Sequence, residues 1–293
     1  MKLGLALLFI ALICSTTPSL SAQDDPGTSE AASNSPPEAA PAAIVDEQAP
    51  SIDAAIVRKT KGFDWDGWKR LTPNLIHDQK AVWLFPLSVA KGRNVKPTLA
   101  VAGATVGLVA LDPYTGRHFQ KNKTTDYRQF NRIFSSTNTA IGTFALPLAL
   151  YGVGLIRRDV YAQRTFLLAG EAVLTSEILT SVMKDVTRRA NPALVPPGGD
   201  FSDTWFKKEH GNWVRGIGAF PSGHTISAFS VATVYAKRYP SRKWKPIVAY
   251  SLAGIVGFSR SSLETHFVSD VVLGAALGYF IGNYIVKSED DRR

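Results

Sequence analysis

Two short stretches in the C-terminal third of the chain combine histidines with groups that suit an oxyanion. The first is Pro-Ser-Gly-His at 221–224, and the second opens with Ser259 and Arg260 and continues to His266 and Asp270. Two histidines, a carboxylate and fixed positive charge are what phosphoryl transfer without a metal requires. One imidazole attacks phosphorus, the other protonates the leaving oxygen, and the cations hold the remaining oxygens.

The stretch 221–224 has the composition of a helix start. Ser222 suits an N-cap, and the apolar residues that follow predict a helix. The amides of Gly223 and His224, together with the positive end of the helix dipole, would then bind an oxyanion, which glycine allows to approach closely. The structural alternative is an ordinary helix cap with a surface histidine.

The stretch 259–270 pairs a histidine with a carboxylate at helical spacing. If 266–286 is one helix, His266 and Asp270 lie on the same face. Asp270 would accept the proton of one ring nitrogen and leave the other as a free nucleophile. Arg260 offers a planar fork that matches phosphate, and Ser259 one more hydrogen bond. The structural alternative is a His–Asp pair that only strengthens a helix.

A third, basic stretch lies upstream at 184–192. Lys184, Arg188 and Asn191 recur at helical spacing, with Arg189 beside them. These cations either reach the same anion or simply complement the C-terminal end of a helix dipole before Pro192 ends the helix.

Six apolar segments must position these residues. They lack the alternation of strands and are rich in Ala, Leu, Val and Gly, which predicts helices and an all-α, six-helix bundle. The segments are 97–111, 137–156, 163–183, 224–237, 246–258 and 267–286. Gly274, Gly278 and Gly282 recur every four residues in the last segment, which predicts a smooth face for a close helix contact.

The chain divides into four parts by composition. Residues 1–22 are typical of a secretory signal peptide, and 23–55 form an acidic Pro/Ala/Ser linker that we expect to be disordered. Residues 56–96 are an extension with an aromatic stretch, in which Trp83 and Phe85 either cap the core or rest on a membrane surface; core capping is favoured. A helical domain occupies 97–293. The single cysteine, Cys14, lies in the signal segment, so thiol catalysis is excluded.

The body after the linker is strongly basic. Residues 56–293 hold 32 of the 33 Lys and Arg residues but 17 of the 24 Asp and Glu residues, a net charge of +15. Such a body favours phosphate esters or anionic lipid headgroups as partners. Nucleic acid is the weakest option, because export removes the protein from that pool and no binding motif is present.

Localisation follows from the export signal and the length of the segments. Several segments are short for a membrane span, and Glu171 and Glu177 would be costly in lipid. If the six segments were membrane spans, the positive charges of the loop 237–245 would orient the chain one way across the membrane. The cleaved signal would orient it the other way. We therefore expect a periplasmic or envelope protein, soluble or peripheral rather than integral. The sequence does not indicate an oligomeric state.

The three stretches together resemble the type 2 phosphatidic acid phosphatases, which share fold and site with bacterial acid phosphatases and vanadium-dependent haloperoxidases. The family pattern is Lys, six residues, Arg-Pro; then Pro-Ser-Gly-His; then Ser-Arg, five residues, His, three residues, Asp. The second and third blocks match in full. The first matches at Lys184 and Pro192 but has Asn191 where the family has Arg.

The resemblance implies roles for the matching residues. His266 would form a phosphohistidine, Asp270 would orient it, and His224 would protonate the leaving oxygen and then activate water. The residues implied to bind phosphate are Lys184, Arg260, Ser222, Ser259 and the Gly223 amide. Arg188 or Arg189 would replace the arginine missing at Asn191. No metal or other cofactor is implied.

Three functions fit these observations. The first is an exported, metal-independent phosphatase for phosphate monoesters or pyrophosphates, with lipid-linked substrates favoured over small soluble esters. The second is a haloperoxidase with vanadate bound to His266. The third is an envelope protein that binds anionic lipid without turnover. The only observation that favours it is Asn191 in place of the family arginine. The long loop 193–220, with Trp205, Trp213 and Phe220, is expected to set substrate choice or to close the core.

Overall fold

The computed structural model describes residues 62–121, 124–207, 218–240 and 244–292, and the regular elements in these ranges are helical. The α-helices are α1 Trp65–Ala90, α2 Val95–Lys121, α3 Thr125–Ile133, α4 Ser136–Ile156, α5 Val160–Thr187, α6 Gly223–Arg238, α7 Trp244–Ser262 and α8 Val268–Asp291. A 3₁₀ turn at Pro192–Leu194 follows α5. The all-α prediction is confirmed, but the described residues hold eight helices and not six.

The six predicted apolar segments lie within α2 and α4 to α8. The additional helices are α1 and α3. Helix α1 contains Pro73 and Pro86 as well as charged residues, and these conceal its periodicity. Helix α3 has only nine residues and a polar composition, so no apolar run marks it.

The core lies between α5, α6 and α8. Leu168 and Ala172 of α5, Ile226 of α6 and Ile285 of α8 are fully or nearly fully buried there. The glycine face of α8 is confirmed. A Cβ at Gly274 would lie 2.9 Å from the Ser222 carbonyl oxygen, and one at Gly282 would lie 2.6 Å from the Ser230 carbonyl oxygen. Only glycine allows α8 to approach α6 this closely.

Backbone hydrogen bonds join the three stretches that carry the predicted site residues. The Ser222 amide donates to the Asp270 carbonyl at 3.1 Å, which ties the start of α6 to the start of α8. The Ala219 amide donates to the Arg189 carbonyl at 2.8 Å, which ties the segment before α6 to the end of α5. One end of the bundle therefore collects residues that are distant in sequence.

The prediction of a soluble or peripheral protein was wrong. Among the described residues, Val95–Lys121, Val160–Leu194 and Val268–Asp291 are long and apolar enough to cross a membrane, and a bent pair at Thr125–Thr143 and Ala145–Ile156 would make a fourth span. Helix α2, with 27 residues, is about 40 Å long, more than the hydrocarbon core requires. An integral membrane protein is therefore favoured.

The two acidic residues that argued against membrane insertion face the protein. Glu171 is only 2% exposed, and its Oε1 lies 4.0 Å from Nη2 of Arg292. Glu177 accepts a hydrogen bond of 2.8 Å from the Ser227 hydroxyl of α6. Because both carboxyl groups turn inwards, neither has to be solvated by lipid.

Core capping by Trp83 and Phe85, which the sequence favoured, was wrong for these two rings, although their neighbour Val82 packs against the core. Trp83 is 43% exposed and Phe85 is 37% exposed. The predicted signal peptide 1–22 and linker 23–55 lie outside the described residues.

Candidate active site

His266 lies in the short connection between α7 and α8 and is almost completely buried. Its Nδ1 is 2.5 Å from the carbonyl oxygen of Ala219. A carbonyl oxygen only accepts, so Nδ1 carries the proton and Nε2 keeps its lone pair. Burial lowers the pKa of His266, although Asp270 acts in the opposite direction, so the ring is neutral at pH 7. This tautomer and charge state are those of a nitrogen nucleophile.

Asp270 lies in the first turn of α8. The expectation that His266 belongs to the same helix was wrong, because α8 begins at Val268 and His266 precedes its N-cap, Phe267. Its Oδ2 is 3.7 Å from His266 Nδ1 and accepts a hydrogen bond of 2.8 Å from the Phe267 amide. The carboxylate is therefore within ion-pair distance of the imidazole, while the Ala219 carbonyl makes the shorter contact. Asp270 supplies negative charge beside a ring whose tautomer the backbone sets.

His224 occupies the first turn of α6. Its Nε2 lies 3.2 Å from the Ser136 carbonyl oxygen, so Nε2 carries the proton and Nδ1 is unprotonated. Burial lowers the pKa of His224 to about 4, helped by the positive charge of Arg260, by His266 and by Lys184. These electrostatic neighbours show that four of the predicted site residues lie around one region.

Arg260 is completely buried near the end of α7. Its guanidinium donates to the Phe134 carbonyl, to the Ser136 hydroxyl at 3.2 Å and to the Thr139 hydroxyl at 2.9 Å. Ser259 accepts from Nε at 3.0 Å and donates to the Val256 carbonyl, so its hydroxyl orients the arginine. Within the described ranges no carboxylate lies within 4.0 Å of this cation. A buried guanidinium without a counter-charge favours an anionic ligand.

Helix α6 begins at Gly223, as the sequence predicted. The first amide that pairs within the helix is that of Ile226, which donates to the Ser222 carbonyl, so the amides of Gly223 and His224 have no helical partner. The Ser222 hydroxyl is 2.8 Å from the Thr225 hydroxyl and makes no capping bond to the backbone. The amides at the start of α6 are thus available to an anion.

Lys184 lies in the last turn of α5, and its ammonium has no hydrogen bond or ion pair among the residues that the structure describes. Arg188 is the left-handed C-cap of the helix and donates from Nε to the Asp185 carbonyl at 3.1 Å. Asn191 precedes the 3₁₀ turn without a capping bond from its side chain. The residues of the predicted basic stretch therefore do not share one set of contacts.

Arg189 is buried in a cage of carboxylates and aromatic rings. Nη1 donates to Asp270 Oδ1 and Nη2 to Asp112 Oδ2, both at 2.5 Å. The guanidinium carbon lies 4.3 Å from the ring centre of Trp205 and 4.1 Å from that of Phe267. A guanidinium occupied in this way does not support the expectation that Arg189 replaces the family arginine at Asn191.

Sequence reasoning missed the groups that other helices bring to this region. They are the carbonyls of Phe134 and Ala219, the hydroxyls of Ser136 and Thr139, and the carboxylate of Asp112. An acid inside an apolar helix is the signal that would have found Asp112. Nothing in the sequence marks the other four.

The loop 193–220 is described at both of its ends. Trp205 and Phe220 meet edge to face with ring centres 5.0 Å apart, and both rings lie beside the Arg189 guanidinium, so they close the core. Trp213 lies outside the described residues. Two grooves of about 420 and 260 Å³ open near this loop and α3. Glu264 borders both, and neither is lined by His224 or His266.

Comparison with known proteins gives one family and three curated relatives. Residues 165–293 match the PAP2 superfamily. A stretch of 65 residues, 22% of this chain, is 42% identical to the lipid A 1-phosphatase of Porphyromonas gingivalis and covers 15% of that protein. A stretch of 115 residues, 39% of the chain, is 25% identical to the lipid A 4'-phosphatase of that organism and covers 46% of it. A stretch of 167 residues, 53% of the chain, is 29% identical to the phosphatidylglycerophosphatase B of Bacillus subtilis and covers 72% of it.

The chain therefore spans less than half the length of the two lipid A phosphatases. Among solved structures, it is similar to a transmembrane PAP2-type phosphatidylglycerolphosphate phosphatase from Bacillus subtilis. The identity is 19% and the TM-score 0.44, over 67% of this chain and 96% of the other.

Proposed function

We propose that the protein is a phosphatase that uses a phosphohistidine intermediate at His266, a proposal that the match of residues 165–293 to the PAP2 superfamily supports. The observation that carries this proposal is the hydrogen bond from His266 Nδ1 to the Ala219 carbonyl. It leaves the lone pair of Nε2 on a neutral, buried ring. A nitrogen in this state attacks phosphorus without first losing a proton.

The first step transfers the phosphoryl group to the protein. The P–Nε2 bond to His266 forms while the bond between phosphorus and the leaving oxygen breaks, and His224 donates a proton to that oxygen. The pKa of about 4 for His224 belongs to the ligand-free site. A bound phosphate dianion beside the ring raises that pKa and allows His224 to act as an acid.

The second step returns the site to its first state. His224, now neutral, takes a proton from water while the water oxygen attacks phosphorus. The P–N bond breaks, and inorganic phosphate leaves with its oxygens still held by the cations. Asp270 stabilises the positive ring that exists between the two steps, because its carboxylate lies 3.7 Å from Nδ1.

Lys184, Arg260 and the amides at the start of α6 form the proposed phosphate seat. Among the described residues neither Arg260 nor Lys184 has a carboxylate within 4.0 Å, and Lys184 interacts with Glu177 and Asp270 only at longer range. A phosphate group would supply the missing negative charge. Its equatorial oxygens would be held by donors that are already in place, which is how charge in a phosphoryl transition state is stabilised.

Phosphorylated lipids are the proposed substrates. The three curated relatives are named for lipid A and phosphatidylglycerophosphate, which are lipid phosphates. Helices that are long and apolar enough to cross a membrane would bring the site to substrates held in a bilayer. The net charge of +15 over residues 56–293 favours an anionic membrane surface.

The test is phosphate release from a panel of lipid phosphates and small soluble esters by the purified protein in detergent. We expect faster release from the lipid phosphates, no loss of rate with a metal chelator, and a loss of about 10³-fold or more in His266→Ala. His77→Ala changes an exposed histidine outside the site and is the matched control. Equal rates for His266→Ala and the wild type would refute the proposal, and halide oxidation with added vanadate would favour the haloperoxidase.

A further inference from the structure

Arg189 joins two carboxylates from helices that are far apart in sequence. Asp112 lies in α2 and Asp270 in α8, and each accepts a hydrogen bond of 2.5 Å from the guanidinium. Ser269 reinforces this cluster, because its hydroxyl contacts both Asp112 and Arg189, and its amide donates to Asp112 Oδ1 at 3.2 Å. Arg189 and Asp112 are each 1% exposed, and Asp270 is fully buried.

The backbone of Arg189 reaches His266 by a second route. Its carbonyl accepts a hydrogen bond of 2.8 Å from the Ala219 amide, and the Ala219 carbonyl accepts the Nδ1 proton of His266. One residue thus holds both groups that face Nδ1, Asp270 through its side chain and Ala219 through its main chain. Cation–π contacts of the guanidinium with the rings of Trp205 and Phe267 also help to hold it in place.

The charges of the cluster explain why Asp112 is present. Arg189 alone would neutralise Asp270 and remove the negative charge that a phosphorylated imidazole needs. With Asp112 included, one cation faces two anions and the cluster keeps a net charge of −1 beside His266. A second carboxylate therefore lets the arginine fix Asp270 in place without cancelling its charge.

We propose that Arg189 and Asp112 are a positioning pair that fixes Asp270 and Ala219 against His266 and preserves the negative charge there. This inference rests on the proposed function, since it concerns the same nucleophile. Neither residue touches the substrate. Asp112 is outside all three sequence stretches, and Arg189 is assigned to the nucleophile and not to phosphate.

The pair acts within a set of charged neighbours that must be kept constant in any test. The charged groups that act on His266 are Lys184 from α5 and Asp270 from α8. His224 from α6 interacts with His266, and Arg260 from α7 acts on His224. The test therefore changes only Arg189 and Asp112, one charge at a time, and leaves these four residues intact.

The experiment is the pH profile of kcat/KM for Asp112→Asn, Arg189→Gln and the double variant. Asp112→Asn removes negative charge, so His266 stays neutral to lower pH. The acid limb, the low-pH side of the profile on which kcat/KM falls, then moves to lower pH by about one unit. Arg189→Gln removes positive charge and moves the limb up by about as much. The double variant returns the limb towards that of the wild type. The ionisation of the substrate is the same in every variant, so these differences report the protein.

A purely structural role would lower kcat in every variant and leave the acid limb where it is, and this result overturns the proposal. If Asp112→Asn does not fold, Asp112→Ser takes its place, and if Arg189→Gln does not fold, Arg189→Met takes its place, because each removes the same charge. The acid limb should move in the same direction as for the first variant, and an unmoved limb overturns the proposal.

Failure of the proposed function is distinguishable from failure of this inference. A wild-type protein that releases no phosphate from any ester refutes the phosphatase. The positioning pair is then tested by NMR titration of nitrogen-labelled histidine. The inference expects the His266 pKa to move down in Asp112→Asn and up in Arg189→Gln, and identical titrations overturn it.

Discussion

Backbone carbonyls decide which nitrogen of each histidine is free. The Ala219 carbonyl accepts from Nδ1 of His266, and the Ser136 carbonyl accepts from Nε2 of His224. The unprotonated nitrogens are therefore Nε2 of His266 and Nδ1 of His224. In the proposed mechanism the first attacks phosphorus, and the second must bind a proton before it can donate one to the leaving oxygen. This division of roles depends on main-chain positions and not on a carboxylate.

His224 predicts a pH dependence of stability. Its pKa is about 4 in the folded protein and 6.5 as its ordinary value, so the unfolded chain binds more protons between these values. Stability should therefore rise as pH increases from about 4 to 6.5 and change little from this group above that range. In His224→Gln, which has no proton to bind, the dependence should be weaker. Thermal unfolding in detergent at several pH values measures it.

His77→Gln is the control for this prediction, because it removes an exposed histidine outside the site. It should follow the wild type at every pH. An unchanged pH dependence in His224→Gln would show that His224 is not the group responsible.

Replacing Asn191 by arginine should raise the affinity of the protein for phosphate. Asn191 stands where the family has arginine and has no side-chain hydrogen bond among the described residues. We expect the guanidinium of Asn191→Arg to bind phosphate as the family arginine would, and a charge-assisted hydrogen bond contributes about 1.5–3 kcal/mol. Inhibition by inorganic phosphate should strengthen about tenfold or more, and a phosphate titration measures it. Equal inhibition of both proteins would show that position 191 does not reach phosphate.

The sequence located the catalytic candidates but not their supports. His224, Arg260, His266 and Asp270 lie in two compact stretches whose spacing reveals them. Asp112 contacts a residue 77 positions away, and the carbonyl of Phe134 contacts one 126 positions away. Such contacts depend on how the helices pack, and no local pattern encodes them.

At the level of elements, the contact between α6 and α8 holds the site together. Helix α6 carries His224 and α8 carries Asp270, so the fit between these helices sets the spacing of both groups. A Cβ at Gly278 would collide with the Ile226 carbonyl oxygen and lie 2.8 Å from the Phe229 Cβ. The two backbones must then move apart.

Gly278→Ala should therefore destabilise the protein by about 1–3 kcal/mol and lower its activity. Gly254→Ala in α7 is the matched control, because no atom lies within 4 Å of its new Cβ. That change should be neutral or stabilise by about 0.5–1 kcal/mol. Thermal unfolding and phosphate release measure both variants. Equal stability of the two would show that the close contact is not needed.

Helices were predictable where apolar runs are long. The six predicted segments all fall inside helices, although α2 extends ten residues beyond its predicted end at 111. Helix α1 was missed because its prolines and charges interrupt the pattern. Helix α3 was missed because nine polar and aromatic residues resemble a loop, yet its junction with α4 supplies the acceptors for Arg260.

At the scale of the whole molecule, the described residues favour an integral membrane protein. The peripheral assignment rested on short apolar segments, on conflicting loop charges and on the cost of Glu171 and Glu177 in lipid. Glu171 is buried near Arg292, and Glu177 is bonded to Ser227. Burial against neighbouring helices cannot be read from hydropathy alone, and it removes the last of these objections to insertion.

Membrane extraction tests this conclusion. The protein should remain in the membrane fraction after washes with high salt and with alkaline carbonate, and should be released by detergent. High salt screens the attraction of a basic body for anionic lipid but leaves apolar helices in the bilayer. Release by salt alone would restore the peripheral assignment.

The most direct test of the proposed mechanism is to identify the phosphorylated atom during turnover. An aryl phosphate has a leaving group that needs no proton, so it should still phosphorylate His224→Ala, whereas the attack of water is slowed. The intermediate should therefore accumulate, and mass spectrometry with NMR locates the phosphoryl group. The account predicts phosphate on Nε2 of His266, because Nδ1 is bonded to the Ala219 carbonyl. Phosphate on another residue, or on Nδ1, would contradict it.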